Sequence, residues 1–267
     1  MANPIACLLI IGNEVLSGRT RDANLQFLAT RLGELGIPLR EVRVIPDVPQ
    51  TIIATVNEVR AKHDHVFTTG GIGPTHDDIT SECVAAAFGV PWVVHEETRA
   101  IMAADYVRRD PPVEMNPARM RMATLPLGAV PIRCPMTSAP GFSMENVHVM
   151  AGVPRIMQSM FDALAPSLTG GVPVVSRAVH AIGVFEGNIA AGLEAIQKRF
   201  PELDIGSYPF YRPSTASTGA ASPGSFAGGG VALVSKGVSL TDVEAATAEI
   251  TAMLVAMGAA PIQGEPG

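Results

Sequence analysis

Residues 68–80 read Thr-Thr-Gly-Gly-Ile-Gly-Pro-Thr-His-Asp-Asp-Ile-Thr, and this stretch decides which fold the rest of the chain is expected to adopt. The apolar run 65–67 precedes it, and a helical pattern over 81–88 follows it. A strand that ends in a glycine-rich turn and opens a helix presents free backbone N–H groups, which suit a phosphate. The sequence therefore predicts a site for a nucleotide or another phosphate ester in this glycine-rich loop.

Two adjacent carboxylates, Asp77 and Asp78, lie in the same loop. They repel a phosphate unless a divalent cation lies between them, and Mg²⁺ commonly binds one or two carboxylates together with substrate phosphates. A purely structural interpretation is open as well, since the glycines can serve a tight turn and either aspartate can cap the helix. The loop matches neither a P-loop nor the dinucleotide fingerprint, because the lysine of the first and the third glycine of the second are missing.

Strands and helices are expected to alternate around this loop. Apolar or alternating runs predict strands at 5–11, 39–45, 65–69, 92–94, 130–132 and 147–150, with a turn at 138–142. Helical spacing between the first four strands predicts an α/β fold, with a mostly parallel sheet and helices on both faces. Ligands of such sheets bind beyond the carboxyl ends of the strands. This rule brings the Gly12-Asn13-Glu14 segment, Asp47 and the glycine-rich loop to one edge.

A change of composition at 167–173 predicts a linker between two domains. We expect residues 1–168 to form the α/β domain and residues 173–257 to form a small α+β domain. A flexible tail is expected at 258–267. The small residues of 214–230 predict a flexible hairpin connection inside the second domain.

Composition excludes several classes of protein. Apolar residues make up 47% of the chain and charged residues 16%, which supplies a core and argues against disorder. The net charge of −6 argues against binding to nucleic acid or to an anionic membrane. Cys7, Cys83 and Cys134 form no Cys-x-x-Cys pair, so buried reduced thiols in a cytoplasmic protein are expected.

The glycine-rich loop resembles the Thr-Thr-Gly-Gly-Leu-Gly-Pro-Thr-x-Asp-Asp-x-Thr signature of the molybdopterin-binding fold, in its CinA-type (competence/damage-inducible) branch. Ile72 replaces the usual leucine, and Asn13 stands where an acid is frequent. The segments 12–24, 138–142 and 152–154 are similar to further motifs of this branch, and Ala151 replaces a usual proline. Residues 173–257 look like the small KH-like domain that follows in CinA-type proteins and in animal FAD synthase.

The resemblance and the strand-end rule together assign the site residues. The residues expected to bind substrate are Gly12, Asn13, Glu14, Asn24, Gly70, Gly71, Gly73, Pro74, Thr75 and Thr80. Asp47, Asp77 and Asp78 are expected to hold a divalent cation such as Mg²⁺, and Asp47 and Asp78 are expected to be catalytic. Asp47 falls where MogA and MoaB relatives have an acid, although taken alone it is an ordinary loop carboxylate.

The resemblance implies three functions, which stay open at this point. The first is divalent-metal-dependent hydrolysis of a nucleotide pyrophosphate, of the ADP-ribose or FAD kind. The second is a role in molybdenum cofactor biosynthesis, by adenylyl transfer or by binding of molybdopterin alone. The third is an interaction module whose site has lost its activity. A small nucleotide or pterin is the expected ligand and a homodimer or homotrimer the expected assembly, while no amidohydrolase domain, and hence none of its activity, is implied.

Overall fold

A computed structural model describes residues 3–211 and 229–266. The chain divides into two compact units, one ending at Val172 and the other beginning at Pro173. Most of the connection predicted at 214–230 lies outside the described residues. Within those residues, no helix is long and apolar enough to cross a membrane.

The first unit alternates strands with helices over most of its length. Its elements are β1 (Ala6–Ile11), α1 (Asn13–Leu16), α2 (Asn24–Glu34), β2 (Leu39–Ile45), α3 (Pro49–Arg60), β3 (His65–Thr69), α4 (Thr80–Phe88), β4 (Trp92–Val94), α5 (Glu96–Val107), α6 (Pro117–Arg121), β5 (Thr124–Pro126), β6 (Val130–Cys134), β7 (Thr137–Met144), β8 (Val147–Met150) and α7 (Pro154–Leu164). The main sheet has the strand order β2-β1-β3-β8-β7-β6. Neighbours among β2, β1, β3 and β8 are parallel, whereas β7 runs antiparallel to both of its neighbours.

Side chains of β1 alternate between two apolar layers because successive residues of a strand point to opposite faces. Cys7, Leu9 and Ile11 pack in one layer with Val56 of α3 and Val84 of α4. The intervening side chains of β1 pack in the other layer with apolar residues of α2 and α7. Helices therefore cover both faces of the mostly parallel sheet, which confirms the predicted fold class.

One prediction about the strands is wrong, and another is correct only in part. Residues 138–142, predicted as a turn, lie inside β7. The pairing of β7 with β6 is irregular between Ile132 and Cys134 of β6, and this irregularity tolerates a proline at position 140 of β7. Residues 92–94 form a strand as predicted, but β4 pairs with β5 in a separate two-stranded antiparallel sheet. The parallel part of the main sheet is completed by β8 instead.

The second unit is a smaller α+β arrangement. Its elements are β9 (Val175–Ile182), α8 (Glu186–Arg199), β10 (Asp204–Phe210), β11 (Gly230–Gly237), α9 (Leu240–Ala256) and β12 (Ile262–Gln263). The strands form an antiparallel sheet in the order β10-β11-β9-β12. Within the predicted tail, the short strand β12 satisfies backbone groups at the edge of β9, and the flexibility of residues 258–267 remains a prediction. The Gly264 carbonyl also lies 2.8 Å from Nδ1 of His180.

Candidate functional site

The carboxyl ends of β1, β2 and β3 meet at one edge of the main sheet, because these three strands are adjacent and parallel. The backbone N–H of Asn13 donates to Oδ2 of Asp47 at 2.8 Å, and the N–H of Gly12 donates to the carbonyl of Ile45. These bonds tie the start of α1 to the end of β2. The predicted convergence of the first two strand ends is thus present in the structure.

The glycine-rich loop follows β3 and requires its glycines for two different reasons. Gly70 has φ of +101°, and a Cβ there would lie 2.1 Å from the carbonyl oxygen of Ile11. Gly71 has φ of +68°, and a Cβ there would lie 2.2 Å from Oγ1 of Thr80. The backbone N–H of Thr80 donates to the Gly71 carbonyl at 2.9 Å. Thr80, the first residue of α4, is buried and stabilises the loop through this hydrogen bond.

Asp78 closes the other half of the loop. Its Oδ2 atom accepts hydrogen bonds from the backbone N–H of Thr75 at 2.8 Å and from the Thr75 hydroxyl at 2.5 Å. The neighbouring Asp77 is exposed, and its pKa is lowered. The Thr75 side chain is the main cause, and a hydrogen bond with the backbone of Asp77 itself is the second. Gly73 lies against Asp78, since a Cβ on Gly73 would be 2.6 Å from Oδ2 of Asp78.

A cavity of about 550 Å³ lies beside the glycine-rich loop. One wall is the loop itself, and the opposite walls come from the turn between β8 and α7 and from the start of β7. The lining residues are Glu14, Thr20, Gly70, Gly71, Ile72, Gly73, Pro74, Asp78, Met122, Thr137, Ala139, Pro140, Ala151, Gly152, Val153, Pro154, Ile156 and Met160. Its volume is in the usual range for small-molecule sites.

The cavity has carboxylates but, among the described residues that line it, no lysine, arginine or histidine. Glu14 and Asp78 supply the two negative charges, and apolar side chains supply most of the remaining surface. Oxygen ligands of this kind suit Mg²⁺, which binds one or two carboxylates together with phosphate oxygens. The chemistry of these two carboxylates therefore fits a hard divalent cation.

A narrower recess of about 60 Å³ adjoins the cavity and shares Glu14, Thr20, Gly70, Gly152 and Pro154 with it. Asn24 borders this recess and is almost fully buried. Its Nδ2 atom donates to the Gly152 carbonyl at 2.9 Å, and its Oδ1 atom has no hydrogen-bond partner within the described part of the chain. A buried acceptor without a donor is costly, so a ligand or water that donates here is favoured.

The residues predicted from sequence separate into two groups in the structure. Glu14, Gly70, Gly71, Gly73, Pro74 and Asp78 line the larger cavity, and Asn24 borders its recess. Gly12, Asn13, Asp47, Thr75, Asp77 and Thr80 are not in the lining. Thr75 and Thr80 form hydrogen bonds inside the loop, whereas those of Gly12, Asn13 and Asp47 join the ends of β1 and β2. Within residues 3–211 and 229–266, Asp47, Asp77 and Asp78 do not form a cluster of three potential metal ligands.

Sequence reasoning missed the wall formed by residues 151–156 as a part of the site. Ligands of parallel sheets bind beyond the carboxyl ends of the strands, and this rule would have predicted residues 151–156 if it had been applied to β8 as it was to β2. It also missed Thr137, Ala139 and Pro140, since that segment was predicted to be a turn.

Comparisons with known proteins identify the family of each unit. Residues 7–170 match the family described as "Probable molybdopterin binding domain", and residues 173–261 match "FAD synthase, middle domain". A protein of Pyrobaculum calidifontis is 36% identical over 214 residues, which are 77% of this chain and 81% of the relative. A protein of Archaeoglobus fulgidus is 30% identical over 203 residues, 76% of this chain and 84% of the relative.

A solved structure extends the agreement to the fold. The crystal structure of the protein CinA from Thermoplasma acidophilum is 29% identical to this chain, with a TM-score of 0.57. The match covers 62% of this chain and 99% of that one. This coverage is close to the extent of the first unit, which contains the cavity.

Proposed function

This chain belongs to the molybdopterin-binding domain family, with a CinA-type arrangement of two units, and we propose that it hydrolyses a nucleotide pyrophosphate with a divalent cation. The ligand would be of the ADP-ribose or FAD kind. The observation that supports this proposal best is the composition of the 550 Å³ cavity. Its lining combines the negative charges of Glu14 and Asp78 with the backbone of a glycine-rich loop.

The proposal assigns the parts of the ligand by chemistry. Backbone N–H groups of the loop after β3 are the donors for a phosphate. The cavity lining has two carboxylates and no basic side chain, so a bound cation would offset the charge of a pyrophosphate there, while Arg21 of the adjoining recess is the basic side chain available beside it. Ile72, Met122 and Met160 offer apolar surface to a heteroaromatic ring.

Asp78 and Glu14 are the residues that would hold the cation in this proposal, and Asp47 would position the segment that carries Asn13 and Glu14. A bound divalent cation polarises phosphoryl oxygens and lowers the pKa of an attacking water. The two bonds from Thr75 fix the Asp78 carboxylate, so its other oxygen faces a defined direction. The sequence-based assignment of Asp47 and Asp77 as metal ligands remains a prediction.

The test is a nucleotide panel. Purified protein is incubated with ADP-ribose, FAD or ATP and Mg²⁺, and release of AMP is followed by chromatography. We expect AMP from at least one of them, and at least about tenfold less with Asp78→Asn, since one cation ligand is weakened. Asparagine can still accept the Thr75 bonds, so the loop should fold. Glu34→Gln, at an exposed position near the end of α2, is the matched control and should keep full activity.

A second candidate is binding of molybdopterin without hydrolysis. The family match favours it, as does the apolar part of the cavity, which suits a pterin ring. Tight binding of molybdopterin together with no AMP from any nucleotide would establish this candidate and overturn the first.

A further inference from the structure

Three potential metal ligands meet at the opposite edge of the main sheet, near the amino ends of its strands. They are the thiol of Cys7 in β1, the carboxylate of Glu41 in β2 and the imidazole of His63, which lies between α3 and β3. Their ligand atoms all lie within 4.8 Å of one another. Within residues 3–211 and 229–266, this is the only group of three such side chains.

The sheet brings two of these side chains together. Cys7 and Glu41 are partners in the parallel register of β1 and β2, so their side chains point to the same face. His63 reaches this face because α3 ends just before it. The N–H of His63 donates to the carbonyl of Val59, and Asn146 donates to the carbonyl of His63. The backbone of His63 is thus fixed on both sides.

The His63 ring is oriented as a metal ligand requires. Its Nδ1 atom lies 3.0 Å from the carbonyl oxygen of Val59, which can only accept a hydrogen bond. In the neutral ring the proton therefore resides on Nδ1, which leaves the lone pair of Nε2, 3.5 Å from Oε2 of Glu41, free to bind a metal. Metal-binding histidines commonly donate their second ring N–H to a backbone carbonyl in this way.

The distance between the histidine nitrogen and the carboxylate oxygen suits a small tetrahedral ion. Nε2 of His63 and Oε2 of Glu41 are 3.5 Å apart. Two ligands at about 2.0–2.2 Å from a tetrahedral Zn²⁺ are separated by about 3.5 Å. Arg43 binds the other oxygen of Glu41, which leaves Oε2 available. Cys7 is fully buried and the His63 side chain nearly so, whereas about a third of the Glu41 side chain is exposed and gives the ion its way in.

We propose that Cys7 Sγ, His63 Nε2 and Glu41 Oε2 form a binding site for a transition-metal dication of the Zn²⁺ type, with water as the fourth ligand. Sulfur and imidazole ligands select such ions over Mg²⁺. The thiol proton passes to solvent when the sulfur–metal bond forms, so the charge of the ion is partly offset by a thiolate. This site is separate from the cavity beyond the carboxyl ends of the strands.

Cobalt is the probe that tests the proposal. Untagged, metal-free full-length protein is titrated with Co²⁺, whose thiolate complexes absorb in the near ultraviolet and whose tetrahedral complexes absorb strongly in the visible. We expect one equivalent of cobalt with a thiolate band, displaced by one equivalent of Zn²⁺. Zinc should also raise the midpoint of thermal unfolding, since it binds the folded chain.

Variants locate the site. Cys7→Ser should abolish the thiolate band, and His63→Gln and Glu41→Gln should weaken zinc binding by about tenfold or more, the loss that even outer-shell changes produce. Cys83→Ala removes another buried thiol of the same apolar layer and should leave the band unchanged. Circular dichroism checks that each variant is folded, and the variants of His63 and Glu41 provide a test should Cys7→Ser fail to fold.

Two outcomes would overturn the proposal. One is a wild-type protein that gives no thiolate band, which would leave only an ion pair between Glu41 and His63. The other is a band that persists in Cys7→Ser. Nucleotide hydrolysis is measured separately with Mg²⁺, so failure of either proposal does not affect the other.

Discussion

The backbone N–H of Asn13 donates a hydrogen bond of 2.8 Å to the Oδ2 atom of Asp47. Thirty-four positions separate the two residues in the chain, and the bond joins the carboxyl ends of β1 and β2. Asp47, which is predicted from the sequence to bind a metal, thus also holds in place the segment that carries Glu14. This role leads to the first prediction.

Asp47→Ala should lower the free energy of unfolding by about 1–2 kcal/mol, because the N–H of Asn13 then loses an anionic acceptor. Asp47→Asn should lower it by less, since the asparagine carbonyl can accept the same bond. Urea denaturation of both variants measures the difference. Equal losses in the two variants would contradict a hydrogen-bonding role.

Gly70→Ala should destabilise the protein by more than Gly18→Ala. Both glycines have positive φ, which costs an alanine about 1 kcal/mol. At Gly70 the new Cβ also meets the Ile11 carbonyl oxygen at 2.1 Å, whereas at Gly18 no heavy atom of the described residues lies within 4 Å. Thermal and urea unfolding compare the two variants; similar midpoints would show that the β1–β3 approach is less tight than described.

Removal of divalent cations should weaken the binding of nucleotides, and not only slow their hydrolysis. The cavity has two carboxylates and no basic side chain in its described lining, so both charges repel a pyrophosphate that arrives without a cation, and backbone N–H groups offset this repulsion only in part. We expect at least about tenfold weaker binding of ADP-ribose in EDTA than in Mg²⁺ by calorimetry. Glu14→Gln should reduce this dependence on the cation, and unchanged affinity in EDTA would contradict the cation requirement.

Acid should destabilise the first unit through His148. Burial, and secondarily the neighbouring His65, lower the pKa of His148 to about 4. The unfolded chain binds this proton near pH 6.5. Between about pH 6.5 and 4, His148 is protonated only in the unfolded state. The free energy of unfolding therefore decreases by up to about 3 kcal/mol as the pH is lowered through this window, and it levels off below about pH 4.

The contribution of His148 is isolated by His148→Gln, which cannot titrate. Urea denaturation of wild type and variant at several pH values should give a shallower loss for the variant over this window. Parallel losses would mean that other groups cause the acid sensitivity.

Sequence reasoning predicted the parts of the fold whose residues repeat with a clear period. β2, β3 and β8 begin and end as predicted, because each is a short apolar or alternating run bounded by polar or turn-forming residues. β7 was missed because Ala-Pro-Gly at 139–141 is typical of a turn. Its pairing depends on β6 and β8, and on the lack of a side chain at Gly141, where a Cβ would lie 2.4 Å from the Val149 carbonyl oxygen.

The site was predictable as far as topology alone determines it. Adjacent parallel strands bring Asn13, Asp47 and the glycine-rich loop to one edge whatever their side chains do. The direction of each carboxylate depends on local hydrogen bonds, as those from Thr75 to Asp78 show. The Cys7, Glu41 and His63 cluster could not be predicted either, since it depends on strand register and on a single side chain after α3.

The pairing of β3 with β8 joins two segments of the chain that are synthesised at different times. Val66 pairs with Val147, and the cavity is closed by residues 151–156. Contacts between distant segments form slowly because a long loop must close first. During synthesis on the ribosome, the glycine-rich loop emerges well before residues 151–156, so the cavity beside it is complete only after the start of α7 has been made.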